Sequence, residues 1–339
     1  MKKFILLLIS LLWLSCASSD QENNVLRYSL IISADLGGSV SKTGGEFQAG
    51  ETITVTAVPD EGFAFLAWSD GYSSPSRTIV VFESQNLVAT FVENPYFFNK
   101  LSLNAPPYQG TIWETGDIIN ASDPSAFNDI SYSGIGERQM YDRRNGGAWV
   151  NLSPFLFDVS FSDGLSTEIQ VNPEFSLEQA TEEANKYAFL IGQLPKGLRK
   201  DVFTIWIHKG EENYGGGNNN ILIHTGMTEV YENYSSGIVE ETLIHEAVHT
   251  SVDAYLYPNR ETDGVGWVNA AQKDGCYISS YAMENPFRED IAELFPFYVA
   301  IKYFPERISE QMRDNILSCN LNRILYLDTL DIDLNMYQR

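Results

Sequence analysis

Between residues 27 and 93 apolar and polar positions alternate with a period of two. Ile53, Val55 and Ala57 interleave with Thr52, Thr54 and Thr56, and Pro59-Asp60-Glu61-Gly62 closes the run with a turn. Phe63–Trp68, Thr78–Phe82 and Leu87–Val92 supply further strands, so this stretch predicts a small all-β module. Residues 94–175 stay β-rich: Phe155–Phe161 and Leu165–Val171 flank Ser162-Asp163-Gly164, a hairpin pattern. After Pro173 the period changes. Ser176-Leu177-Glu178-Gln179 fits a capping box and opens a helix to about Ile191, which Leu194-Pro195 ends. Phe203–Ile207 and Ile221–Ile223 read as strands, with Gly215-Gly216-Gly217-Asn218-Asn219-Asn220 between them read as a mobile loop. Residues 240–256 place Ile244, Val248 and Val252, with Ala247 and Tyr255, on one stripe, so they predict a helix with one buried face. No sustained period of 20–50 residues marks a solenoid.

The first residues follow a different logic. Met1-Lys2-Lys3 precedes the apolar run Phe4–Leu14, which is shorter than the roughly 20 residues a membrane span needs. This is the pattern of a secretory signal. Cys16, after Trp13-Leu14-Ser15 and before a polar stretch, resembles the cysteine of a bacterial lipobox, which is lipidated after cleavage; Trp13 stands where that motif usually has Leu. The alternative is an ordinary signal peptide containing a chance Cys. The expectation is a signal peptide at 1–15, a linker at 16–26, and a bacterial outer-membrane or cell-surface lipoprotein, otherwise periplasmic or secreted. The membrane would be met only through the N-terminal lipid.

Composition narrows the function. The 339 residues carry 22 Lys+Arg against 45 Asp+Glu, a net charge of −23. Loss of residues 1–15 leaves 20 basic against the same 45 acidic residues. Bulk attraction to nucleic acid or anionic lipid is therefore excluded. A hydrophobic content of 44% and an aromatic content of 13% exclude a disordered acidic chain. Cys276 and Cys319 either pair in an oxidising compartment or remain two buried thiols; neither sits in a CxxC.

Two of the four His fall in His245-Glu246-Ala247-Val248-His249. Four residues of helix turn through about 400°, so both imidazoles share one face about one turn apart. That spacing suits one Zn²⁺ per chain, with Glu246 beside it as general base. A catalytic zinc wants a third protein ligand. Forty residues on, Asn285-Pro286 reads as a helix start, with Glu289 and Glu293 four apart on one face. A solvated acidic face paired with Arg288 is the bland alternative. Asp253, four residues after His249, is another candidate ligand.

Two resemblances follow from these residues. The run from Gly37 to Asn94, with paired glycines, GETITVTAVPDEGF, a Trp and a closing Ala-Thr-Phe, resembles the divergent internalin B-type bacterial repeat. Such repeats serve as spacers or adhesive stalks, which implies that residues 27–93 hold the rest away from the anchor. The order of HExxH followed by a Glu-bearing helix resembles the gluzincin branch of the zincin metallopeptidases. Glu289-Asp290-Ile291-Ala292-Glu293 matches the E-x-x-A-E run of lethal-factor-type toxin peptidases. The resemblance implies His245, His249 and Glu289 as zinc ligands, Glu293 as the acid that orients a His, and Glu246 as base. It also implies Tyr281 as the oxyanion donor, with Tyr277 the weaker alternative. Ile221–Ile223 would be the strand that pairs with extended substrate, putting His224 beside that substrate; His208 reads as core or surface. The expected fold is α+β: a zincin-like domain at 176–339, with a mixed sheet, the HExxH helix and a Glu-ligand helix. Residues 94–175 form its β-rich N-terminal part, and the repeat module precedes it. The expected function is a zinc metallopeptidase acting on protein or peptide, with no nucleic-acid partner. The alternatives are a non-catalytic adhesion lipoprotein on a zincin scaffold and a zinc hydrolase of non-peptide amides.

Overall fold

The computed structural model describes residues 26–60, 62–72, 74–93, 104–111, 118–253, 263–286 and 288–335. The signal segment, Cys16 and Tyr255 lie outside them. Seven strands make the N-terminal module: β1 (Arg27–Ala34), β2 (Gly38–Val40), β3 (Gly44–Gln48), β4 (Thr52–Pro59), β5 (Phe63–Trp68), β6 (Ser76–Val80) and β7 (Gln85–Glu93). They form a four-stranded sheet in the order β3-β1-β7-β5 and a three-stranded sheet β2-β4-β6. The period-two alternation works as sequence predicts: Ile53, Val55 and Ala57 point inward and join Leu30, Ile32, Leu87, Ala89 and Phe91 in one core. Trp68 closes that core at 2% exposure, and its indole N–H donates to the Ser74 carbonyl.

The second core belongs to one mixed sheet, ordered β14-β15-β13-β12-β11-β8. Its strands are β8 (Phe127–Ile135), β11 (Phe155–Phe161), β12 (Ser166–Val171), β13 (Thr204–His208), β14 (Gly215–Gly217) and β15 (Asn220–His224), with β9 (Arg138–Asp142) and β10 (Ala148–Leu152) as a separate hairpin. β12, β13 and β15 run parallel, and β8, β11 and β14 antiparallel to their neighbours. The sheet crosses residue 175, so 94–175 and 176–339 build their main hydrophobic core together, as they do the smaller cluster of Met140, Trp206 and Leu222.

Helix α1 (Leu177–Gly192) starts where the capping box places it: Ser176 accepts from the Gln179 amide, and Gln179 answers on the Ser176 amide. After the short α2 (Lys196–Arg199) come α3 (Thr225–Tyr234) and α4 (Ile238–Val248), the latter continuing as a π-type turn through His249–Asp253. Then follow α5 (Asp263–Asp274), α6 (Ser280–Glu284), α7 (Asp290–Tyr303) and α8 (Glu310–Leu327).

Two sequence expectations change. The Gly215–Asn220 stretch is not a loop. Gly215–Gly217 is the terminal strand of the sheet, and Asn218 and Asn219, at φ 52° and 56°, make a two-residue hairpin turn into β15. Two successive positive φ values are what a type I′ turn requires, and Asn tolerates them. The second change concerns the Glu-bearing helix, which starts at Asp290 rather than at Asn285. Asn285 instead closes α6, its side-chain amide donating to the Tyr281 carbonyl. Glu289 becomes the residue that leads into α7, still joined to Glu293 by a backbone hydrogen bond of 2.8 Å.

Cys276 and Cys319 are disulfide-bonded with Cα atoms 5.2 Å apart, tying α8 to the segment before α6 across 43 residues. Reduction, or Cys319→Ser, is expected to lower unfolding stability by about 2–4 kcal/mol. Urea unfolding with and without reductant measures this, and an unchanged midpoint would contradict it.

Candidate metal centre

Helix α4 is buried on nearly every side, with Ile238, Leu243, Ile244, Ala247 and Val248 all in the core. Its His245 and His249 emerge on one face, one turn apart, with imidazole centroids 4.9 Å apart. Facing them is Glu289, 4% exposed. The separations are 3.2 Å from His245 Nε2 to Glu289 Oε2, 3.3 Å from His249 Nε2 to the same oxygen, and 3.2 Å between the two Nε2 atoms. A tetrahedral zinc with bonds of about 2.0–2.1 Å requires donor atoms about 3.3–3.4 Å apart. The triangle therefore has the size of three corners of a zinc tetrahedron. Among the described residues this is the one cluster of three His, Cys, Asp or Glu donors with that convergence.

The surrounding residues fix which atoms converge. His249 Nδ1 lies 2.8 Å from Asp253 Oδ2, so its proton is directed there and Nε2 presents a lone pair. Asp253, a candidate ligand from sequence, is thus turned to the far side of the ring. His245 Nδ1 faces Glu293 Oε1 at 3.6 Å. Glu293 is in turn held by the Ser279 hydroxyl at 2.7 Å and the Thr111 hydroxyl at 2.5 Å. The second oxygen of Glu289 meets Arg288 Nε at 3.2 Å, leaving Oε2 for the triangle. Three converging lone pairs repel one another, and a cation is what such a set stabilises.

The electrostatics agree. Burial acts to lower His249, but the Glu289 charge and the Asp253 hydrogen bond outweigh it and push its pKa up to about 10. His245 is raised in the same way: burial opposes, while the Glu289 hydrogen bond and the Glu246 charge prevail. Burial acts to raise Glu289, yet the charge on His249 and hydrogen bonds from both rings hold it well below the usual carboxylate range. The pocket is built to hold positive charge. Glu293 and Asp253 are both raised, in each case first by burial.

Glu246 and Tyr281 line the same cleft, which measures about 1220 Å³. The Tyr281 pKa is raised by burial and by the nearby Glu289 carboxylate. Tyr277 is packed in the core at 2% exposure. The structure does not bring His224 to the cleft. It is fully buried at the end of β15, which is an interior strand; its Nδ1 donates to the Lys209 carbonyl and its ring stacks on His208 at 5.4 Å. The terminal strand is β14, not β15, and it packs on the HExxH helix. A Cβ at Gly216 would fall 1.9 Å from the Glu246 carbonyl oxygen, so only glycine lets this strand approach. Thr111, Ser279 and Gly216 were not foreseen from sequence. Thr111 and Ser279 are ordinary polar residues 182 and 14 positions from Glu293, and no local pattern marks them.

Two predictions follow from these placements. Gly216→Ala is expected to push β14 off α4, weakening zinc binding about tenfold or more while far-UV circular dichroism stays native. Unchanged zinc affinity would sink this account. His208 has its pKa lowered to about 4 by burial, against about 6.5 unfolded. The unfolded state therefore binds this proton first, and stability falls as pH drops from about 6.5 to about 4. His208→Gln should show a shallower decline in thermal midpoint over that window; a decline as steep as wild type would contradict it.

Comparison with known proteins locates one part of the chain. Residues 28–95 match the divergent InlB B-repeat domain, about a fifth of the sequence. No curated protein matches the chain. Two solved structures of a mutant M1 zinc metallopeptidase from Deinococcus radiodurans, one of them bound to a Tyr-Ser-Ala substrate, are similar at 8% identity. They cover 90% and 89% of this chain and 93% and 92% of theirs. Both have a TM-score of 0.21, too low for an argument about fold, so the reading of the site rests on its own side chains.

Proposed function

We propose that this chain is an exported zinc-dependent peptidase, and the observation that carries the reading is the 3.2–3.3 Å triangle of His245, His249 and Glu289 with Glu246 in the same cleft. Bound zinc would supply Lewis-acid chemistry, polarising a peptide carbonyl and lowering the pKa of the attacking water toward about 7. Glu246 follows His245 directly and is not one of the three converging donors, which leaves its carboxylate free to take the water's proton and pass it to the leaving amine. Tyr281, which lines the cleft, would donate to the carbonyl oxygen as negative charge develops there. Asp253 and Glu293 hold the two imidazoles. The disulfide suits an oxidising compartment and supports export. Export by the N-terminal signal, with Cys16 as a lipid anchor, completes the reading. No helix among the described residues is long and apolar enough to cross a membrane.

The test combines metal content with hydrolysis. Wild type and Glu246→Gln are expected to hold one zinc per chain, Glu289→Ala little, and Asp253→Ala a zinc bound about 10–100-fold more weakly. Denatured casein should be cleaved by wild type, with Glu246→Gln slowed about 10²–10⁴-fold and Tyr281→Phe slowed about 10²–10³-fold. Chelation should abolish the activity and added zinc restore it. Full zinc affinity in Glu289→Ala would remove Glu289 as a ligand. Stoichiometric zinc without hydrolysis would favour the adhesion-lipoprotein reading.

A further inference from the structure

The cleft around the metal triangle is walled by both domains. Phe63, Phe65 and Tyr72 of the repeat module line the same cleft as Glu246 and Tyr281. β5 is the terminal strand of its sheet, and its consecutive residues Phe63, Ala64 and Phe65 all face the cleft. A strand whose neighbouring residues all line one space presents its edge to it, since successive side chains point to opposite faces. On the catalytic side the cleft is bordered by β14, which also ends a sheet among the described residues.

The two walls are joined by an aromatic seam. Tyr72 Oη lies 2.7 Å from Tyr141 Oη, and the rings meet edge-on at 5.7 Å. Behind Tyr72, the Arg77 guanidinium stacks at 4.4 Å and is held by Asp70 at 2.7 Å. Behind Tyr141, Trp149 and Trp206 continue the chain edge-on at 5.5 and 5.4 Å. This contact places the module against the catalytic domain rather than clear of it. Drug-sized ligands fill pockets of roughly 300–1,000 Å³, and the cleft at about 1220 Å³ exceeds them.

We propose that the repeat module is part of the substrate-binding surface. It would grip an extended, unfolded polypeptide remote from the metal triangle, with a bulky apolar side chain seated against Phe63, Phe65 and Tyr72. The inference rests on the peptidase reading and names its substrate class. Two terminal strands lining the cleft offer main-chain hydrogen bonds to a chain in β conformation, and the aromatic rings supply the side-chain preference. A compact folded protein offers no such segment, and a short amide reaches only one wall.

The test separates binding from catalysis. Fluorescein-labelled, reduced and carboxymethylated casein is titrated into zinc-loaded Glu246→Gln protein, with and without Tyr72→Ala or Ala64→Arg, and followed by anisotropy. Ala64 lies outside the module core, so Ala64→Arg tests the edge without touching it; Tyr72 packs at the margin of that core and on Tyr141, and Phe65, which packs on Trp68 and Phe91 at 5.8 and 5.9 Å, is left in place. The dissociation constant is expected to rise about tenfold in both variants; an unchanged value in both would overturn the proposal. In the Glu246-bearing protein, the same substitutions should raise KM for casein while leaving cleavage of a tetrapeptide around the same bond at the wild-type rate. Equal loss on the tetrapeptide would overturn it too, because the variants would then act through the catalytic domain. If zinc-loaded wild type cleaves neither substrate, the peptidase reading fails, and the casein titration still decides whether the module is part of the binding surface.

Discussion

One carboxylate oxygen is the point on which the functional half of the molecule converges. Glu289 Oε2 sits 3.2 and 3.3 Å from two imidazole nitrogens on a helix 40 residues earlier in the chain. Such a contact is costly to assemble, because three polar groups lose their hydration in a buried pocket. It persists only where the elements carrying them are fixed independently. The helix side is fixed by the apolar faces of α4 and by β14, whose glycine brings the strand's backbone onto the Glu246 carbonyl.

The Glu289 side is fixed by charge. Its neighbour Asp290 is fully buried, accepts from the Trp267 indole at 2.9 Å, and pairs with the buried Arg323 guanidinium. Arg323 also binds Asp274 at 3.0 Å and the Cys276 carbonyl, so α5, α7, α8 and the disulfide converge on one cation. Breaking a buried pair leaves an uncompensated charge, which is far more costly than the pair is favourable. The cluster therefore sets the start of α7 to one position, and with it the reach of Glu289. One residue, Asp290, serves the scaffold while the preceding one serves the site.

Local chemistry was legible in the sequence, and long-range chemistry was not. The capping box at Ser176, the period-two strands of the module and the HExxH face are set by neighbours within one turn or one strand, so reading along the chain finds them. The start of α7 was misplaced because Asn285 satisfies a helix end as readily as a helix start. Which it does depends on α6, a five-residue helix with too little periodicity to detect. Three glycines in a row read as a loop by propensity, yet they form a strand, and the middle one, Gly216, packs against α4 where a Cβ would not fit. His224 follows the expected strand but ends deep in the sheet. Its fate was decided by strand order, which places β15 inside and β14 at the edge. Thr111, held to Glu293 across 182 positions, has no sequence signature at all.

The repeat module shows the same division at the scale of domains. Its internal core follows from alternation alone, and a domain that folds on its own pattern is free to act as a passive spacer. What argues for more is the placement of its unsatisfied features. Among the described residues, the module's terminal strand β5 runs along the cleft. The aromatic side chains of this region are only partly buried in the module's own core. A spacer gains nothing from aromatic surface and a strand edge turned toward a neighbouring cleft, and both carry an aggregation cost when exposed. Their position beside the metal triangle gives that cost a return, because an extended chain crossing the cleft would cover both.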